Sequence, residues 1–302
     1  MNSRVRGVED ADLLLLIGTN PKVESPVFNA RIRKAVIKNN LSVGLIGSPH
    51  PLSYEYDHIG TNVRSIIDIL DGKHPFSARI ANAKLPMMIV GSSVFERSDG
   101  EDLYKLCLRL SSRFINKEKK WNGFNILHRD VANIGALDIG VKLYDKNRNK
   151  KNPKLVYLLN CDDYNPADIP EDAFVIYQGT HGDRGAERAN IILPGSTYVE
   201  KQGTYVSTDG RVDCVRSAMT PPYLARADWE IIRALSEFLG VPLPYDEIYD
   251  LRNRMCELAP HLIKYDYCEP HGFEDVLLKT YENDDITVNN TNLVDVIDVF
   301  II

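Results

Sequence analysis

The chain is poor in the features by which redox, metal and nucleic-acid proteins are usually recognised. Its 302 residues hold five cysteines, Cys107, Cys161, Cys214, Cys256 and Cys268, which are scattered and never spaced as C-x-x-C. Iron–sulfur clusters and structural zinc need several thiolates converging from short loops, and nothing here has that spacing. The histidines stand apart too, His50 with His58 and His261 with His271 lacking any zinc-like interval. The longest apolar run, Leu13 to Ile17, falls far short of the ~20 residues that span a bilayer. Basic charge is scarce: 36 Lys and Arg face 42 Asp and Glu, a formal net charge of -6. That balance argues against a nucleic-acid or anionic-membrane surface, because phosphates need clustered cations. No complete G-x-G-x-x-G or G-x-x-x-x-G-K-[ST] occurs. Met1 to Asp10 has no apolar signal region and little room for a basic presequence, so the chain is expected to work where it is made or to have lost a leader.

What is present is one recurring unit. Hydrophobic residues make up 44% and charged residues 26%, the average for a globular protein. Leu13 to Ile17 ends in Gly18-Thr19-Asn20-Pro21, Leu41 to Ile46 in Gly47-Ser48-Pro49, and Pro86 to Val90 in Gly91-Ser92-Ser93. Leu155 to Leu159 ends in Asn160-Cys161-Asp162, and Ala173 to Tyr177 in Gln178-Gly179. Continuous rather than alternating apolar runs mark strands buried on both faces. Helical patterns separate them: Ser25 caps a helix with Pro26 first and Phe28, Ile32 and Val36 on one face. Asp99 to Ser111 reads likewise. The alternation predicts an α/β fold of Rossmann-like parallel sheets flanked by helices.

A basic, Asn-rich stretch from Asp145 to Pro153 reads as a linker, dividing the chain into lobes at 1–145 and 153–302. The second lobe carries a predicted hairpin near 203–213 and C-terminal helices. One of these, Asp228 to Gly240, places Trp229, Ile232, Leu235, Phe238 and Leu239 on one face.

Two places offer candidate chemistry. The strand–Gly turns resemble phosphate cradles, but Pro21 and Pro49 remove donors from two of them. His181-Gly182-Asp183-Arg184-Gly185 gathers a base, an acid and a cation, yet no nucleophile in motif context accompanies it. Both are read as structural, and no catalytic, cofactor-binding or metal-binding residue is assigned.

Read in order, a longer series of residues resembles one family. It includes Gly7-Val8-Glu9-Asp10-Ala11-Asp12, Gly18-Thr19-Asn20-Pro21, Tyr56-Asp57-His58-Ile59-Gly60, His74-Pro75-Phe76-Ser77 and Asn125-Ile126-Leu127-His128-Arg129. It continues through Tyr177-Gln178-Gly179, Ile192-Leu193-Pro194-Gly195, Gly203-Thr204-Tyr205-Val206 and Asp228-Trp229. The series is similar to the C-terminal part of the 75 kDa iron–sulfur subunit of respiratory complex I, NADH:ubiquinone oxidoreductase. Each motif alone is weak, but the order and spacing hold over nearly the whole chain.

That resemblance implies a molybdopterin-oxidoreductase-like domain without its molybdenum cofactor. It implies a non-catalytic scaffold in the matrix arm of a mitochondrial inner-membrane complex, beside other matrix-arm subunits. The iron–sulfur clusters would lie in an N-terminal portion of the subunit, expected here as a separate chain. The alternative is a fragment of an active, formate-dehydrogenase-like enzyme binding a pterin dinucleotide; a third reading is an unrelated nucleotide-binding module. Against the second, the relatives' loop N-x-E-G-R-x-Q reads here Ser207-Thr208-Asp209-Gly210-Arg211-Val212-Asp213, with a carboxylate that would repel pterin phosphates. The partner is expected to dock against residues 1–40, because little chain precedes the apolar strand Leu13 to Ile17. The apolar terminus with Val294, Val296, Ile297 and Val299 to Ile302 is expected to need a cover as well.

Overall fold

The computed structural model describes residues 1–130, 133–141 and 153–269, together with Val288 and Leu293. The stretch from Asp145 to Asn152, His271 and the apolar residues from Val294 to Ile302 lie outside the described residues. Two compact units form. The first holds Met1–Ile134, Ser207–Arg211 and Cys268–Ile302; the second holds Gly135–Val206 and Val212–Tyr267. Where the sequence reading places one break between 145 and 153, the chain passes to the second unit at 134–135 and returns to the first twice.

In the first unit the apolar runs become strands β1 (Leu13–Ile17), β2 (Ser42–Ile46) and β4 (Pro86–Gly91), and a further strand, β3 (Asp57–Gly60), forms where no apolar run was read. A short antiparallel pair, β5 (Ile115–Asn116) and β6 (Trp121–Asn122), precedes β7 (Phe124–Leu127). The main sheet is parallel and ordered β3-β2-β1-β4-β7. Helices α1 (Pro21–Glu24) and α2 (Pro26–Asn39) follow β1, α3 (Val63–Leu70) and α4 (Phe76–Asn82) follow β3, and α5 (Gly100–Ser111) follows β4. Asn40 ends α2 in the left-handed conformation, which Asn tolerates better than most residues.

Alternate residues of β1 enter different cores, which explains its unbroken apolar character. Leu14 and Leu16 pack with Phe28, Ile32 and Ala35 of α2. Leu13, Leu15 and Ile17 pack with Ile66 of α3, Phe76 of α4 and Leu103 of α5. The reason is topological. From β1 the chain moves one way to β2 and β3, then crosses back to β4 and on to β7, and right-handed crossovers in opposite directions cover opposite faces.

This arrangement removes the open strand edge on which the expected docking against residues 1–40 was argued. β1 is paired with β2 on one side and β4 on the other, and all five of its residues are buried. The return crossover brings β4, from later in the sequence, to the edge of β1 opposite β2.

The second unit contains α6 (Asn133–Asp138, at the boundary), β8 (Leu155–Leu159), β9 (Phe174–Gly179), α7 (Arg184–Arg188) and β10 (Ile191–Pro194). Its sheet is parallel and ordered β10-β9-β8. The predicted hairpin forms from β11 (Gly203–Val206) and β12 (Val212–Val215), with Val206 opposite Val212. Helices α8 (Asp228–Phe238) and α9 (Ile248–Leu258) complete it. The apolar stripe of α8 is covered only in part: Phe238 and Leu239, in its last turn and C-cap, are largely exposed.

Candidate functional site

In open α/β sheets a ligand sits beyond the carboxyl ends of the strands, where strand order reverses. In the first unit that point lies between β1 and β4, so the turns at Gly18, Gly47 and Gly91 form the first candidate site. Glycine is required at two of them. A Cβ on Gly91 would lie 2.3 Å from the Gly18 carbonyl oxygen, and one on Gly18, at φ +53, would meet Val94 at 2.3 Å.

Several donors of the first two turns are already engaged. The Gly18 amide donates to Ile46 O at 2.9 Å and the Gly47 amide to Gly60 O at 2.8 Å. The Asn20 amide donates to Glu24 Oε1 and the Thr19 hydroxyl to Glu24 Oε2, both at 2.8 Å. Lys22 N donates to Asn20 Oδ1 at 3.2 Å, and Pro21 has no N–H to offer. Leu293 closes the turns from outside: it is buried, its amide donates to Thr61 O at 2.8 Å, and its carbonyl abuts Gly47. A phosphate would have to displace a carboxylate that already satisfies the helix start, so this turn does not fit a phosphate-bearing cofactor.

The second candidate, His181 to Gly185, does not converge. His181, Asp183 and Arg184 are exposed, and the His181 ring meets only its neighbour Thr180, Nδ1 to Oγ1 at 2.9 Å, among its hydrogen bonds. The residue that organises the loop is Asp162, which the sequence reading did not single out. It accepts the Tyr177 hydroxyl at 3.0 Å and the Gly185 amide at 2.8 Å. Burial first, and then the Asp162 carboxylate, push the Tyr177 phenol up to about 12.

A third cluster was equally silent in the sequence. Gln178 of β9 is fully buried and donates to Asp228 Oδ1 at 2.8 Å. Its own Oε1 accepts the Tyr157 hydroxyl, and Lys201 pairs with the other Asp228 oxygen. Fifty residues separate Gln178 from Asp228, so no local pattern announces the contact. The cluster is charge-balanced, and it pins the start of α8 to β9.

Beside it lies an open groove of about 640 Å3 bounded by Lys201, Arg226, Trp229 and Tyr249. Its charges are engaged nearby. Arg226 donates to Ala225 O at 2.9 Å, and Glu200 accepts the Thr197 amide at 3.0 Å.

In the loop that departs from the relatives' pattern, the Ser207 hydroxyl donates to Asp209 Oδ1 at 2.6 Å, and the Ser207 amide donates to Arg211 O at 2.9 Å. Asp213 lies opposite Tyr205 in the hairpin ladder. All five cysteines are free thiols, and burial pushes Cys107 up to about 12. Among the described residues no three His, Cys, Asp or Glu side chains gather as a metal site.

Comparison with known proteins places this geometry. The model of the molybdopterin oxidoreductase family matches residues 1–238. The NADH-ubiquinone oxidoreductase 78 kDa subunit, mitochondrial, of Neurospora crassa is 42% identical over 99% of this chain and 40% of its own length. The subunit of the same name from Candida albicans is 44% identical over 92% of this chain and 39% of its own length. The NADH dehydrogenase [ubiquinone] iron-sulfur protein 1, mitochondrial, of Solanum tuberosum is 41% identical over 92% and 37%. The chain thus spans about two fifths of the length of these relatives, in their C-terminal part. The α/β fold, the parallel sheets and the family model agree: the chain belongs to the molybdopterin oxidoreductase family, and its homologues are the 75 and 78 kDa subunits of NADH-ubiquinone oxidoreductase.

Proposed function

We propose that this chain is a cofactor-free structural domain of mitochondrial NADH-ubiquinone oxidoreductase, complex I, in its matrix-side arm, and that it performs no chemistry of its own. Its partners are other subunits of that complex and the cluster-bearing N-terminal portion of the same subunit, supplied as a separate chain. The observation that carries the reading is Glu24 at the switch point. At this point, where open α/β sheets bind their ligands, the helix start is capped by the chain's own carboxylate and Leu293 lies against the Gly47 turn. The carboxylate of Asp213, where the pattern has Gln, further supports it, as it disfavours the pterin of the formate-dehydrogenase-like alternative. No helix among the described residues is long and apolar enough to cross a membrane, which accords with a peripheral place.

The test is isolation of the native assembly through a tag on this chain. The expected result is NADH-dependent ubiquinone reduction, iron carried by another polypeptide, and no pterin in the denatured extract. An assembly that oxidises no NADH overturns the reading. So does stoichiometric molybdopterin released from this chain, which would favour the alternative.

A further inference from the structure

The second unit winds its sheet in one direction only. From β8 the chain steps to β9 and then to β10, all parallel. Two right-handed crossovers taken in the same direction must lie on the same face. They do: Tyr164 and Ile169 of the first crossover and Ala186 and Ala189 of the second pack on Leu158, Val175 and Tyr177. The opposite face therefore receives no crossover. By the alternation of the strands it carries Leu155 and Leu159 of β8, Phe174 of β9 and Ile191 of β10, which are 58%, 45%, 43% and 46% exposed. Only its middle is covered, where Ile176 and Gln178 are buried and Asp228 takes Gln178.

Parallel sheets occur almost only with both faces covered, because every strand presents apolar side chains to both. The first unit meets this rule by reversing direction after β3. The second unit makes no such reversal, so its bare face needs a layer brought from elsewhere, and a strand–helix segment paired to β8 would bring one. Among the described residues β8 pairs with β9 alone, so that edge is open to a further strand.

We infer that the bare face and the free edge of β8 are a docking surface for one strand–helix segment, supplied by the part of the family-length subunit that lies outside the matched residues. The relatives hold about three fifths of their length there, ample for such a segment. A second copy of this chain fits less well. It would set two crossover-free parallel faces against each other and leave both without a helical layer. The inference rests on the proposed function in one respect only, that the rest of the subunit is present in the working assembly.

The experiment uses the native assembly. Hydroxyl-radical footprinting of the unaltered chain compares Leu155, Phe174 and Ile191 in the assembly and in the chain alone. In parallel, Leu155→p-benzoylphenylalanine and Ile191→p-benzoylphenylalanine are photo-crosslinked and the products sequenced. Several-fold protection in the assembly, with crosslinks to the subunit's remaining portion, is the expected result. Unchanged reactivity, crosslinks to a second copy or to an unrelated polypeptide, or a chain that purifies without that portion, overturns it. Crosslinks to the remaining portion within an assembly that oxidises no NADH would sink the proposed function while leaving this inference standing.

Discussion

Glu24 accepts the amide hydrogen of Asn20 and the hydroxyl of Thr19, at 2.8 Å each, and so closes the helix start that follows the central strand. Two donors are satisfied by one side chain four and five residues on. Glu24→Ala leaves both without that acceptor, next to turns packed too tightly for rearrangement. Loss of about 1–2 kcal/mol is expected in urea unfolding of the isolated chain, typical of a lost helix cap. Glu24→Gln keeps one acceptor oxygen and should lose less. An unchanged midpoint for the alanine variant would show that the cap is idle.

Asp162 is the corresponding device in the second unit. Asp162→Ala strands the hydroxyl of Tyr177, a buried side chain, and the amide of Gly185. The expected cost is about 1–3 kcal/mol. The same tyrosine sets an alkaline limit. Its pKa is raised from 10.0 to about 12 in the folded chain, mainly by burial. The neutral phenol is thus favoured by folding. Its stabilisation is complete below pH 10.0 and is lost as pH rises through about 12. A pH titration of tyrosinate absorbance alongside the unfolding signal checks this: ionisation of Tyr177 should accompany loss of structure, not precede it.

The Lys201–Asp228–Gln178 cluster should behave as a unit. Gln178→Ala removes the partner of both Tyr157 and Asp228, with an expected loss of about 2–3 kcal/mol. The Lys201 and Asp228 side chains are each about a fifth exposed, at 20% and 22%, so water screens their pairing in part. A double-mutant cycle of Lys201→Met and Asp228→Asn should therefore give a coupling of about 1 kcal/mol. Simple additivity would mean that the pair contributes nothing beyond its separate members.

His181→Ala tests whether the exposed loop takes part in chemistry. The ring is exposed and, among the described residues, its hydrogen bond is to the adjacent Thr180. Stability should stay within about 0.5 kcal/mol. Ubiquinone reduction per assembled complex should be unchanged. A large loss of turnover with the clusters intact would give the loop a role that its geometry does not show.

The sequence by itself determined the strands and the layers around them. Leu13 to Ile17 and Pro86 to Val90 are apolar at every position because each alternate residue meets a different helical layer, and that signal needs no partner to be named. Ser25-Pro26 and Asn40 mark the ends of α2 through local backbone preferences, and the hairpin turn is legible in Asp209-Gly210. Pairing order was not legible. Nothing in Leu13 to Ile17 says that β4, some seventy residues later, will lie beside it, so an enclosed central strand was read as an open one. Asp162 with Tyr177, and Gln178 with Asp228, are likewise joined only by crossovers, through hydrogen bonds whose partners lie 15 and 50 residues apart. Which face of the second sheet stays bare followed from the direction in which its strands are laid down. That is decided by tertiary packing, because crossover handedness acts on the assembled sheet and not on any single segment.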